Sequence, residues 1–252
     1  FFNKSNIFIV LSRSHLNNTA IKHTDYTNTN SPKLIDYKSQ EIENKSRIEY
    51  NFRHRKIKFN IGLNGENVNY LNTTNNKVTI DTIISSKEVE TDLYFLKFGA
   101  FSQLSTSFFS DKLITSIGLR TDINSFTESN TNPNFSPRLS LAYNVSNLLS
   151  INSSIGKYYQ LPSYTILGYR LDNNYSNKDA EYIQSKHAIL GIEYKPSNYS
   201  RITIESFFKH YQNYPFSVYD EISLSNLGAD FGVIGNEDIT STGKGRSYGL
   251  EL

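Results

Sequence analysis

From Leu139 onward, apolar and polar residues alternate. Leu139, Leu141, Tyr143 and Val145 are apolar, with Arg138, Ser140, Ala142 and Asn144 between them, the period of two that marks a strand with one oily face. After a break at Ser146 to Leu148 the pattern resumes as Leu149, Ile151, Ser153 and Ile155. Folding the segment about Asn147 sets 145 opposite 149, 143 opposite 151, 141 opposite 153 and 139 opposite 155, which gathers the oily residues on one side. The other side carries Arg138, Ser140, Asn144, Asn152 and Ser154, and the strand runs on through Lys157, Tyr158 and Tyr159. Long hairpins, oily on one side and hydrophilic on the other, suit a wall between hydrocarbon and water.

The same reading carries through the chain. Asn6 to Leu16 reads as a strand, apolar on both faces from Ile7 to Leu11, and His15 to about Asn44 reads as a long polar loop. Ile48, Tyr50 and Phe52 face Ile57, Phe59 and Ile61 across a turn at Arg53-His54-Arg55-Lys56, with 52 pairing 57, 50 pairing 59 and 48 pairing 61. Gly65 to about Val89 reads as a second polar loop, and Glu90 to Phe109 as a long strand that turns at Ser110 to Lys112, so that Phe108 meets Leu113. A polar segment, Glu128 to Asn134, leads into the hairpin around Asn147, and a loop from Leu161 to about Ala180 follows it. Ala188, Leu190, Ile192 and Tyr194 then pair through Lys195–Ser200 with Ile202, Ile204 and Phe208, and a last loop, Asn213 to Gly243, precedes a strand at Ser247–Leu252. Short turns near 54, 111, 147 and 197 therefore alternate with long connections. The expected fold class is all-β: part of an antiparallel up-and-down transmembrane β-barrel, about ten strands, occupying 1–252 as one domain.

Composition sharpens this picture. The 252 residues are 37% hydrophobic, and no apolar run approaches the roughly 18 residues that a membrane-crossing helix needs. A barrel tolerates this, because only alternate residues face lipid. Tyr (18) and Phe (16) supply the large side chains, with no Trp or Met, and they suit strands and interfacial girdles. The absence of Cys removes disulfides, thiolate metal sites and cysteine nucleophiles. A net charge of +2 gives no general attraction to nucleic acid, and the basic tetrad at 53–56 is explained by a polar turn. A chain that starts at Phe1 and lacks Met is expected to be a processed protein or a piece of a longer one.

Three segments resemble the barrel of TonB-dependent outer-membrane receptors. They are Asn134–Tyr143 (NFSPRLSLAY) with Tyr158–Pro162 (YYQLP); Leu190–Pro196 (LGIEYKP) continuing to Tyr211–Pro215 (YQNYP); and Gly243–Glu251 (GKGRSYGLE). The resemblance implies a location in the cell outer membrane and contact with outer-membrane lipid. It also implies a complete barrel of about twenty-two strands, of which this chain holds the middle to late ones, truncated at both ends. The plug domain, and the contact with the TonB system that works through it, would lie outside these residues. The implied function is energised uptake of a scarce small-molecule or metal-chelate ligand, such as a siderophore-iron complex, a cobalamin or a saccharide. A passive outer-membrane pore or adhesin-like barrel is the alternative, and a soluble all-β binding module is a third reading.

The inward positions are expected to carry Arg120, Asp122, Arg138, Glu193, Arg201, Glu205, Lys209 and Glu251. Such a mixed-sign wall either guides a polar ligand or grips a plug, and the plainer reading is a ladder of ion pairs across a wet lumen. Tyr158, Tyr164 and Tyr169 are expected at or above the outer rim, where they would stack on a ligand or anchor at the interface, and Tyr159 is expected to face outward. The candidate ligand-binding set is Arg120, Asp122, Arg138, Tyr158, Tyr164, Tyr169, Glu205 and Lys209. The five His residues show no metal-ligand spacing, and Asp172-Asn173-Asn174 and Asn236-Glu237-Asp238 do not extend into calcium loops and read as solvated. No catalytic constellation and no cofactor motif is visible, so no enzyme activity is expected.

Overall fold

A computed structural model of the protein describes residues 4–25, 27–28, 30–80, 83–128, 133–171, 173–227 and 234–252. Ten strands form one antiparallel sheet in which each strand pairs with its neighbours in chain order. They are β1 (Lys4–His23), β2 (Lys33–His54), β3 (Ile57–Ile80), β4 (Ile83–Phe108), β5 (Leu113–Asn124), β6 (Asn134–Asn144) and β7 (Leu149–Gln160), then β10 (Ile183–Ser197), β11 (Ser200–Ser217) and β12 (Ile239–Glu251). Between β7 and β10 lie a single helical turn, α1 (Tyr164–Leu167), and a two-stranded ribbon of β8 (Arg170–Leu171) and β9 (Asn174–Tyr175). Among the described residues β1 pairs only with β2 and β12 only with β11, so the sheet is open along both margins.

The expected short turns are present at one end of the sheet, and the register of the β6–β7 hairpin follows the hydrophobic pattern. Leu139 pairs with Ile155, Leu141 with Ser153 and Tyr143 with Ile151; the ladder ends at Asn144 and Ser150, so Val145 belongs to the turn. Phe108 pairs with Leu113. In the β2–β3 hairpin the register differs by two residues from the expectation. Phe52 pairs with Phe59 and Tyr50 with Ile61, because the turn is the tight pair Arg55-Lys56, with Arg55 at φ 48°. An even shift leaves every side chain on its expected face.

Two segments expected as loops are strand. β1 continues to His23 and β2 begins at Lys33, replacing most of the loop assigned to 15–44. The loop assigned to 65–89 is the upper part of the β3–β4 hairpin, whose strands reach 24 and 26 residues. Since about 9–11 residues suffice to cross hydrocarbon, these strands are far longer than a crossing needs. In their upper parts the faces are wet or covered by other parts of the chain, and the oily alternation that betrays a strand is no longer required. The final loop is likewise shortened, with β11 running to Ser217 and β12 starting at Ile239.

The outer face carries the oily residues. Ile151, Ile192 and Ile204 stand in one row across β7, β10 and β11, between 37% and 45% exposed, and are not sealed in a protein interior. The buried core lies elsewhere, on the concave face near the long-connection end. Val68, Tyr70, Leu93 and Phe95 of β3 and β4 pack there beneath Ile166, Leu167, Ala180, Leu224 and Ile239. In β3 the oily face therefore changes side. Ile61 and Leu63 point out and are about half exposed, whereas Val68 and Tyr70 point in and are buried.

Candidate functional site

The inward phase of β3 and β4 provides a floor, and the connections from β7 to β10 and from β11 to β12 fold down onto it. Tyr164 anchors the first of these. Its ring lies 5.8 Å from that of Tyr70 and 5.6 Å from that of Phe95, the latter edge to face. Its phenol donates to Glu43 Oε1 at 2.5 Å and accepts from Lys97 Nζ at 2.6 Å. Burial, and secondarily the bond to the Glu43 carboxylate, push the Tyr164 phenol well above the ordinary tyrosine range. Lys97 is in turn 2.7 Å from Glu66, and Lys45 is 2.6 Å from Glu43. A ladder of alternating sign thus runs across β2, β3 and β4 beneath the turn of helix.

Further bonds fix the cap. Thr91 Oγ1 donates to the carbonyl of Gly168 at 2.8 Å, and a Cβ on Gly168 would lie 2.2 Å from Thr91 Cγ2, so only glycine fits there. Arg170 donates to the Asp92 carbonyl at 2.9 Å while its guanidinium covers the Tyr175 ring. Asn177, fully buried, joins the two connections: its amide donates to the carbonyls of Ile166 (2.8 Å) and Glu237 (2.9 Å), and its carbonyl accepts from the Ile239 amide at 3.0 Å. The Asn236-Glu237-Asp238 segment, expected to be solvated, is therefore docked. Of the other triplet expected to be solvated, Asp172-Asn173-Asn174, Asp172 lies outside the described residues.

Beside this cap a cavity of about 560 Å³ opens between the wall and the 160–164 segment, lined by Glu41, Asn64, Glu66, Arg120, Asp122 and Tyr164, among others. Arg120 and Asp122, two apart on β5 and hence on the same face, form a two-pronged ion pair at 2.7 and 2.6 Å. They rest over Gly99 of β4. A Cβ there would be 2.6 Å from Asp122 Oδ1 and 2.7 Å from Asn64 Oδ1. Asn64, one of the lining residues, has its Oδ1 buried without a hydrogen-bond partner among the described residues. A second cavity, about 750 Å³, is lined by Tyr158, Ser185, His187, Tyr211, Tyr214 and Asn226 and closed by the Lys244–Arg246 strand segment. Tyr158 is sandwiched there between the guanidinium of Arg138, 4.4 Å from its ring centre, and the ring of His187 at 4.6 Å.

The structure thus brings Arg120, Asp122 and Tyr164 to the first cavity and Tyr158, supported by Arg138, to the second. Glu205 lies lower, beside Gly191 in a smaller recess, and Lys209 sits over the Phe207 ring at 5.1 Å. Tyr169 is not on an open rim. It is buried within the cap, where burial and then the carboxylates of Asp238 and Glu237 raise its phenol. Tyr159 keeps its outward side, bonded to Gln184 at 3.2 Å. Glu193 is paired with Lys195 and Arg201, both at 2.6 Å, as the ladder reading of the inward charges expects. Reading the chain for oily faces missed Glu41, Glu43, Asn64, Glu66, Lys97 and Asn177. The signal that exposes most of them is the reversal of phase in β3, since polar residues beside an inward apolar pair mark a wall that something covers.

Comparison with solved structures places the same sheet in larger barrels. The copper transporter OprC superposes with a TM-score of 0.66 at 11% identity, over 97% of this chain and 39% of its own. A variant of the ferric enterobactin receptor PfeA from Pseudomonas aeruginosa, in complex with enterobactin, gives 0.61 at 16% identity, over 97% and 38%. The pyoverdine receptor FpvA from Pseudomonas aeruginosa PAO1, bound to pyoverdine, gives 0.59 at 15% identity, over 98% and 38%. This chain therefore spans less than two fifths of the length of each. A sequence comparison with curated proteins finds no match. The family model for the TonB dependent receptor-like β-barrel matches residues 3–252, and the chain belongs to that family.

Proposed function

We propose that this sheet is the ligand-bearing part of an outer-membrane receptor wall that takes up a scarce solute with energy relayed by TonB. The solute would be a siderophore-iron complex, a cobalamin or a saccharide, held at the concave upper wall. The observation that carries the reading is the conjunction of a family match over 3–252 with two cavities, one mainly polar and one with many aromatic residues in its lining, at the long-connection end of that wall. The structural neighbours, a copper transporter and receptors for ferric enterobactin and pyoverdine, give the reading its class.

In this reading Arg120, Asp122 and the side chain of Asn64 meet polar groups of the ligand in the first cavity. Tyr158, held between Arg138 and His187, presents its ring edge and hydroxyl in the second. Tyr164 and Tyr169 keep the cap in place rather than touching the ligand, and Glu205 and Lys209 face the interior lower down, toward a plug. Lipid surrounds the outer face.

The test is uptake of labelled ligand by cells that depend on this protein. Transport should fall to background when TonB is deleted, and Arg120→Ala should weaken ligand binding to the purified protein by about tenfold, the loss of one charge-assisted pair. Uptake that persists unchanged without TonB would instead establish a passive pore.

A further inference from the structure

The outer surface of β7, β10, β11 and β12 has an uneven charge distribution. Lys157 pairs directly with Lys186, Lys186 with His210, and His210 with Arg246. These four residues form one transverse row on the outer face. Ile155, Ala188, Phe208 and Tyr248 form the next row toward the short turns, and Tyr159, Gln184 and Gln212 the next row toward the long connections. Gly245 lies against the inward Tyr211 ring, which puts Lys244 and Arg246 on the outer side too.

Like charges directly opposite one another on neighbouring strands destabilise a sheet. A row of three or four over about 15 Å, at an inter-strand spacing of about 4.8 Å, costs stability unless something neutralises it. Among the described residues of these strands no such group is present. Among the described residues none of the four enters an ion pair, and the outward positions of these strands include no carboxylate, since Glu193, Glu205 and Glu251 all point inward. The row also stands at the edge of the oily band. Lys157 lifts its ammonium away from that band and over the Tyr159 ring, at 4.8 Å, the posture of a lysine reaching from hydrocarbon toward an interface.

We propose that this row is a binding site for the phosphate groups of a lipid headgroup in the surrounding leaflet, on the side of the long connections. A lipid bearing two phosphates fits best, because the cations are spread along a line rather than gathered at a point. The lipid's acyl chains would lie against Ile155, Ala188, Phe208 and Tyr248, and its phosphates would accept from Lys157, Lys186, His210 and Arg246.

The experiment is native mass spectrometry of the detergent-solubilised protein mixed with diphosphorylated lipid A, with phosphatidylcholine as the zwitterionic comparison. The protein should retain the diphosphorylated lipid and not phosphatidylcholine. The triple substitution Lys157→Gln, Lys186→Gln and Arg246→Gln should bind it about a hundredfold more weakly, roughly fivefold for each cation near a charged surface. Substituting Lys38 and Lys77, outward cations on β2 and β3, by Gln should change little, and unchanged circular dichroism should show that the variants fold. Equal retention by the triple variant, or displacement of the lipid by excess inorganic phosphate, would overturn the proposal. It rests on the membrane reading of the outer face, and the outcomes separate. A protein that stays soluble without detergent refutes both, whereas a detergent-dependent protein that does not retain the lipid refutes only this one.

Discussion

Tyr164 and Glu43, 121 positions apart, meet through a hydrogen bond of 2.5 Å that ties the turn of helix after β7 to the inner face of β2. The bond closes across the concave side of the sheet, with Lys97 completing it on the β4 side. Tyr164→Phe keeps the ring contacts with Tyr70 and Phe95 and removes both polar ones. The expected cost is about 1–2 kcal/mol of cap stability, seen as faster hydrogen exchange and proteolysis across 161–182. The sign with pH follows from the raised phenol. Its stabilising contribution is present below the unfolded tyrosine value of about 10 and is lost as pH rises beyond it. The stability gap between wild type and Tyr164→Phe should therefore hold near neutrality and narrow at strongly alkaline pH.

Asn177 links the two connections through three backbone groups. Asn177→Ala removes these partners from the Glu237 carbonyl and the Ile239 amide and leaves the Ile166 carbonyl only the Tyr169 amide, at about 3 kcal/mol. Both connections should loosen together, and the Ile239 amide in particular should exchange about a hundredfold faster in native-state exchange. A change confined to 161–182 would show that the connections are held independently.

Gly168 is required for space and not for backbone freedom, since its φ is −81°, open to any residue. Gly168→Ala should cost about 1–3 kcal/mol through overpacking. Thr91→Ser removes the methyl that the new Cβ would strike and keeps the hydroxyl that donates to the Gly168 carbonyl. Thermal unfolding of the double variant should recover part of the loss, although the Tyr164 carbonyl remains close.

The two faces of the wall should respond differently to the same chemistry. Cysteine introduced at Leu141 should react with lipid-soluble thiol reagents, and at Ser140 with water-soluble ones only. Ile151→Arg should destabilise the inserted protein by about 2–4 kcal/mol, and Asn152→Arg by much less. Equal costs at the two positions would contradict the assignment of faces.

How much of this was legible depended on which solvents the chain meets. Where one face sees hydrocarbon and the other water, as from Leu139 to Ile155, alternation gives strand, facing and register together. In the upper parts of β1 to β4 both faces are wet or covered by cap, and runs such as Asn72 to Asn76 look like loop although they lie in a ladder. The pairs Arg120–Asp122 and Arg138–Tyr158 lie on the expected side of the wall. Their surroundings could not be read, because Asn64 and Lys97, which line the cavity beside the first pair, and His187, which meets Tyr158, are brought there only by the pairing of strands distant in the chain. Tyr169 showed the limit of aromatic residues as markers, since a tyrosine in a polar stretch can serve as packing.

The change of side within β3 constrains how this strand can vary in length. Val68 and Tyr70 must look inward while Ile61 and Leu63, a few residues away, look outward. One residue added between Leu63 and Val68 would rotate everything beyond it by half a turn, exposing Val68 and Tyr70 and pressing Asn67 and Asn69 against the cap. Two residues added would restore the facing and merely lift the cap's footing. Related sequences should therefore differ here by even numbers of residues, or absorb an odd one in a bulge.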